Sequence, residues 1–306
     1  MGFSCRRYRW VVGLAVALLA GRTALAATAT IAPSKDNTLY ESPIGEWSNG
    51  RGQNFFCGTT AQGVNAKRRG VIAFDVAANV PAGSTIQSAN LTLHMSRTMG
   101  DAITVSLYRS LTGWGEGDSV APPDHEGGGT RAAPGDATWL HGFYDSSRWS
   151  TPGGDFNAPA SASLSIAGVG FYSWPSTESL VRDLQSWLDA PQTNHGWVLV
   201  ADNESIPRTA KAFDTRENNQ PEFRPVLQVV FAPPVLDAGF DGGPTDGGGP
   251  DGGAVDAGPT DSGQPGGTEP PGPAIGHGCA TVPGSGLPMI AALLLLVWRR
   301  AYRCRG

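Results

Sequence analysis

The residues best suited to chemistry gather in one glycine-rich stretch. Between Trp114 and Ala160 stand Trp114, Trp139, Phe143, Tyr144 and Trp149, interleaved with Asp136, Asp145, Arg148, Asp155 and Asn157. A pyranose ring offers an apolar C–H face that stacks on an indole or phenol, and its hydroxyls need carboxylate, amide or guanidinium partners close by. This mixture of rings and polar side chains suits a sugar. Trp114, Asp136, Trp139, Tyr144 and Trp149 are therefore the first candidates for ligand contact, with Tyr172 and Trp174 as further platforms. The competing reading is that the rings pin a long loop to the edge of the domain.

Arg216-Glu217 is the next candidate. The pair can orient a ligand carboxylate or hydroxyl, or it can form a buried, mutually satisfied ion pair that serves the fold. No cofactor is expected, although Asp118, Asp124, Asp136 and Asp155 are loose oxygen donors for one structural calcium. The histidines His94, His125, His141, His195 and His277 show no zinc-site spacing. Asp124-His125-Glu126 reads as a solvated turn. No nucleophile elbow, phosphate loop or dinucleotide fingerprint occurs. A glycoside hydrolase needs two carboxylates at a set separation across a cleft. Nothing in the spacing sets Asp136 against Glu126, Asp118 or Asp124 in that way, so the chain is read as non-catalytic. Cys57, beside Phe55 and Phe56, reads as a buried apolar thiol, and no disulfide framework is available. Formal charge is −5, and Lys67-Arg68-Arg69 is a short cluster flanking a strand, so no nucleic-acid footprint is present.

The elements that must carry these residues are mostly strands. Ala89, Leu91, Leu93 and Met95 alternate with Asn90, Thr92 and His94, as in a half-buried strand. Ile103-Val105-Leu107, Ala162-Leu164-Ile166, Ile72-Phe74-Val76 and Leu227-Val229-Phe231 repeat the pattern. Gly196 to Ala201 is apolar on both faces, which suits a central strand. One amphipathic helix opens at Pro175-Ser176, carries the stripe Leu180, Val181, Leu184, Trp187 and Leu188, and ends at Pro191. The spacing predicts an all-β sandwich or jelly roll with this one short helix capping an open end or face.

The two ends read as sorting segments. Arg6, Arg7 and Arg9, an apolar run from Trp10 to Ala20, and Ala24-Leu25-Ala26 form a signal peptide over 1–26, with Ala26 at the processing position. The β domain is expected over 27–232. Residues 233–277, rich in Gly, Pro and Asp and free of Lys and Arg, form a disordered acidic linker. Residues 278–306 join Gly278-Cys279, an apolar stretch ending at Trp298, and Arg299, Arg300, Arg303 and Arg305. A C-terminal hydrophobic helix is expected there, at the short limit for a membrane span. These readings imply export by sorting machinery, with the mature chain held at the cell surface by its C-terminus or released after processing. The tail resembles the C-terminal sorting tails of myxobacterial surface proteins, a resemblance that makes Cys279 the processing residue.

Several segments in register resemble the DNRLRE domain, similar to carbohydrate-binding module family ninety-six. They are Arg69 to Asp75, Pro81-Ala82-Gly83, Ile86 to Leu93, Asn194-His195-Gly196-Trp197, Phe213-Asp214-Thr215-Arg216-Glu217 and Arg224-Pro225-Val226-Leu227. The resemblance covers about 29–231. It implies an all-β jelly-roll β-sandwich and, for some members, polysaccharide binding. Arg216-Glu217 matches the closing Arg-Glu of the family signature, and Thr215 stands where many relatives carry serine. The expected function is a surface-displayed, non-catalytic module that binds extracellular or envelope polysaccharide. A structural or protein-binding component, and a polysaccharide lyase or hydrolase using Asp136 or His125, are the alternatives.

Overall fold

The computed structural model describes residues 25–235, all within the compact unit Met1–Phe240. The chain begins with β1 (Ala27–Ile31), β2 (Pro33–Tyr40), β3 (Trp47–Ser48), β4 (Asn54–Thr59) and β5 (Lys67–Phe74). A single helical turn, α1 (Val76–Asn79), leads to the long strand β6 (Thr85–Thr98) and to β7 (Ile103–Arg109). The next fifty residues hold one 3-10 turn (Glu126–Gly128) and the short strands β8 (Thr130–Arg131), β9 (His141–Phe143) and β10 (Ser147–Arg148). Then come β11 (Ala162–Ile166), β12 (Gly170–Trp174), α2 (Glu178–Asp189), β13 (Trp197–Ala201), β14 (Lys211–Asp214) and β15 (Val226–Ala232).

Eleven strands join in one antiparallel sheet in the order β1-β15-β6-β14-β4-β5-β13-β7-β11, with β12 on β6 and β2 on β5. The sheet curls so that its two halves enclose a shared interior. Leu91, Leu93 and Met95 of β6, Leu227 and Val229 of β15, and Phe213 of β14 meet Ile72, Phe74, Val105, Leu107, Trp197 and Leu199 from the other half. Alternation explains this: Ala89, Leu91, Leu93 and Met95 of β6 are buried while Asn90, Thr92 and His94 between them are half-exposed.

The expected all-β jelly-roll sandwich is corrected. The architecture is mixed α/β, with α1 and α2 set on one curled, unclosed sheet. The physical reason lies at two places. Gly58 and Thr59 of β4 pair with Arg68 and Lys67 of β5 across a hairpin, so the ladder runs on from one half into the other. At the far side β11 pairs only β7 and β12 pairs only β6, so consecutive strands part and no ladder closes the ring.

Helix α2 is capped by Thr177, whose hydroxyl accepts from the Leu180 N–H. The expected opening residue Ser176 instead accepts from the Ala89 N–H of β6. The helix buries Leu180, Leu184, Trp187 and Leu188, and the Trp187 ring lies 4.7 Å from that of Trp197.

Among the described residues no helix is long and apolar enough to cross a membrane. The longest, α2, has 12 residues and a polar face. At a rise of about 1.5 Å each it reaches about 18 Å, against about 30 Å of hydrocarbon. No described helix therefore supplies the expected transmembrane span, and membrane attachment through the C-terminus and cell-surface placement by that anchor are not borne out among the described residues. Residues 278–306 with Cys279, the linker from 236 onward and the leader up to 24 lie outside the described residues.

Candidate functional site

The long segment after β7 is a lid rather than a rim. Trp114, Ala137, Trp139 and Trp149 pack on Leu39 of β2, Val71 and Ala73 of β5, and Val198 and Val200 of β13, forming a second apolar core on the outer face of the sheet. Their exposures are 1%, 7% and 6% for Trp114, Trp139 and Trp149. The Trp114 Nε1 donates to the His195 carbonyl at 2.8 Å and the Trp149 Nε1 to the Thr138 carbonyl at 2.9 Å. Trp174 is sealed as well, donating to the Val105 carbonyl at 2.9 Å. The expected stacking platforms Trp114, Trp139, Trp149 and Trp174 are thus core residues, because a loop this rich in rings has an apolar sheet face to cover. Tyr144 is half-buried, edge-on to His141 at 5.3 Å, and Tyr172 turns its hydroxyl back onto the Gly168 carbonyl.

Asp136 is buried and works for the loop. Its Oδ2 accepts from the Ala133 N–H at 2.7 Å, and Oδ1 faces the Ser119 N–H. Gly117 makes room for it: at φ +73° a Cβ there would stand 1.4 Å from Asp136 Oδ1. Asp155 accepts from the Ser150 and Thr151 N–H groups, while Asp118 and Asp124 are exposed. Glu126, read as part of a solvated turn, is buried, and its Oε1 accepts from the Gln53 N–H at 2.8 Å. His125 is exposed and Ala26 is exposed just before β1. Cys57 is buried with its Sγ donating to the Leu199 carbonyl, and burial pushes its pKa up.

Arg216 and Glu217 do form an ion pair, Nε to Oε1 at 2.9 Å, but the stronger partner of Arg216 is Glu116. Its Nε and Nη2 donate to the two Glu116 oxygens at 2.7 and 2.6 Å, a bidentate fork. The Arg216 N–H donates to Asp36 Oδ2 at 3.0 Å, and the Asp36 N–H donates to Glu116 Oε1 at 2.9 Å. β2, the lid and the residue after β14 thus meet through one guanidinium. The hydrogen bond with Glu116 raises the Arg216 pKa, and burial raises those of Asp36 and Glu217.

Every tryptophan among the described residues is buried except Trp47, which is half-buried. It belongs to β3, packs against Tyr40, Phe56 and Ala212, and has the Arg131 guanidinium 5.5 Å over its ring. Trp47 lines an open groove of about 510 Å³ with Tyr40, Glu41, Glu46, Gln62 and Arg68. Arg68 is 4% exposed, lies 5.0 Å over the Tyr40 ring, and donates to the carbonyls of Gly127, Asn65 and Lys67. It enters no ion pair among the described residues. A neighbouring hollow of about 580 Å³ shares Glu41, Gln62, Val64 and Asn65 with the groove and runs on to Lys67 and Glu204.

Compared with known protein families and with curated proteins, the chain matches neither a family model nor a curated sequence. The resemblance to the DNRLRE domain therefore rests on its quoted segments alone. Sequence reasoning picked out neither Trp47 and its groove neighbours Tyr40, Glu41, Glu46 and Gln62 nor the pair Asp36 and Glu116. For Trp47 a signal exists, a lone indole flanked by Glu46 and Ser48 between the turn residues Pro43, Gly45, Asn49 and Gly50. Asp36 and Glu116 carry no local pattern, since their partner is Arg216 on a distant strand end.

Proposed function

We propose that the chain is a non-catalytic polysaccharide-binding module whose ligand lies along the groove in front of Trp47. The observation that carries this reading is a half-exposed indole set among Glu41, Glu46, Gln62 and Arg68 on an open surface. The ring supplies a stacking face, the carboxylates and amide supply hydroxyl partners, and Arg68 supplies a cation uncommitted to any carboxylate. Two adjoining hollows suit a polymer better than a single sugar. The loops on either side, 41–46 and 60–66, are braced from below. The Ser42 hydroxyl donates to Glu46 Oε2 at 2.5 Å, and the Lys67 N–H donates to Glu41 Oε2 at 3.0 Å.

Affinity electrophoresis of the full-length chain through gels holding neutral or acidic polysaccharides tests the reading. Retention by at least one polymer is expected, and Trp47→Ala weakens it tenfold or more with an unchanged circular dichroism spectrum. Wild-type retention in Trp47→Ala removes the groove assignment. Free migration of the wild type through every polymer removes the function.

A further inference from the structure

Carboxyl groups crowd around Arg216. Asp36, Glu116 and Glu217 bring three carboxylates to one guanidinium, and one oxygen from each lies within 4.8 Å of the other two. Lys35, next along β2, turns its ammonium to the Trp114 carbonyl. Two carboxylate oxygens of the trio have no hydrogen-bond partner at all: Asp36 Oδ1 and Glu217 Oε2. Asp36 is 0% exposed, so no solvent answers its free oxygen. An orphaned carboxyl oxygen in a sealed place is costly for a fold to hold, and native structures answer such groups with a partner.

We infer that Asp36, Glu116 and Glu217 bind a calcium ion. The donors are all hard oxygens, without thiolate or imidazole, which selects a hard cation. Coordination selects calcium. Ca²⁺ accepts about six to eight oxygens in irregular geometry and takes several carboxylates directly, whereas Mg²⁺ demands a near-ideal octahedron and keeps most of its waters. Three carboxylates gathered within 4.8 Å of one another on parts already fixed by Arg216 suit the first. The ion would take up the free oxygens of Asp36 and Glu217 and share Glu116 with Arg216. It would tie β2, the lid and the segment after β14 at the point where these distant parts of the chain already meet. This site is separate from the Trp47 groove, so either reading can fail without the other.

The test uses the full-length chain stripped with a chelator, then titrated with calcium or magnesium chloride in a calorimeter and in thermal melts. One saturable calcium site is expected, with a rise in Tm of several degrees and at least tenfold weaker binding of magnesium. Asp36→Asn and Glu217→Gln should each lower calcium affinity tenfold or more and erase the Tm shift. Absence of calcium heat and of any Tm shift in the wild type overturns the assignment, as does an undiminished shift in both variants or equal affinity for magnesium. Should the variants fail to fold, terbium added to the wild-type chain decides. Sensitised emission at one equivalent that calcium displaces supports the site, and emission that calcium leaves unchanged overturns it.

Discussion

Lys35 holds its ammonium against the lid, where it donates to the Trp114 carbonyl and stands 4.1 Å from the centroid of that residue's ring. Burial pushes its pKa down to about 8, against the partial restoring effect of Glu116. The sign of the consequence follows from proton counting. Between about pH 8 and the ordinary lysine value near 10.4 the unfolded chain holds a proton that the folded chain has shed, so stability rises with pH across that window. Denaturant midpoints at pH 7.5 and pH 10 should show the wild type gaining about 1–3 kcal/mol relative to Lys35→Met. A difference between the two proteins that does not vary with pH would rule this out. At this scale the sequence was partly legible. Arg216-Glu217 stood out as a pair, and the structure adds that the bidentate partner is Glu116, a hundred residues away. A single acid between two glycines, as in Gly115-Glu116-Gly117, carries no mark of such a partner.

The elements divide into those whose side chains repeat with a period and those held by single contacts. Strands β6, β7, β11 and β15 and helix α2 were readable because one face of each is apolar and the repeat shows it, and β13 because it is apolar on both faces. β14 was not, since all four of its residues are buried and two of them, Lys211 and Asp214, are charged. Lys211 is accommodated by donating to the Thr98 hydroxyl and to the carbonyls of Met99 and Asp101, which no periodicity encodes. The lid was legible as an aromatic-rich loop, but its rings were assigned to a ligand when an outer sheet face claims them. Trp149→Phe tests that assignment. It keeps the packing ring but removes the bond to the Thr138 carbonyl, and should lower stability in urea by about 1–2 kcal/mol. Polysaccharide retention should stay at the wild-type level, and a tenfold loss of retention in a folded Trp149→Phe chain would return the indole to the ligand.

At the scale of the whole molecule, the seam between β4 and β5 decides between two facing sheets and one curled sheet. Side-chain pattern is the same in both cases, which is why the sandwich expectation failed there. Gly58 sits on the seam at φ +106°, with the Thr209 carbonyl 2.7 Å from where a Cβ would stand. Gly58→Ala should therefore cost about 1–3 kcal/mol. Because both halves share one interior, the melting curves from tryptophan fluorescence and far-ultraviolet dichroism should move down together. Curves that separate in the variant would show the halves to be independent. A last consequence concerns β1, whose ladder is with β15: Ala27 lies opposite Phe231, and Ile31 opposite Leu227. The first described strand must wait for the last described one. Until translation reaches Val226, the nascent chain carries two bare edges, on β1 and on β6, and the sheet cannot be completed from its amino-terminal side. Assembly of this fold therefore waits for β15, and a chain stopped between Asp214 and Val226 would keep both edges open to self-association.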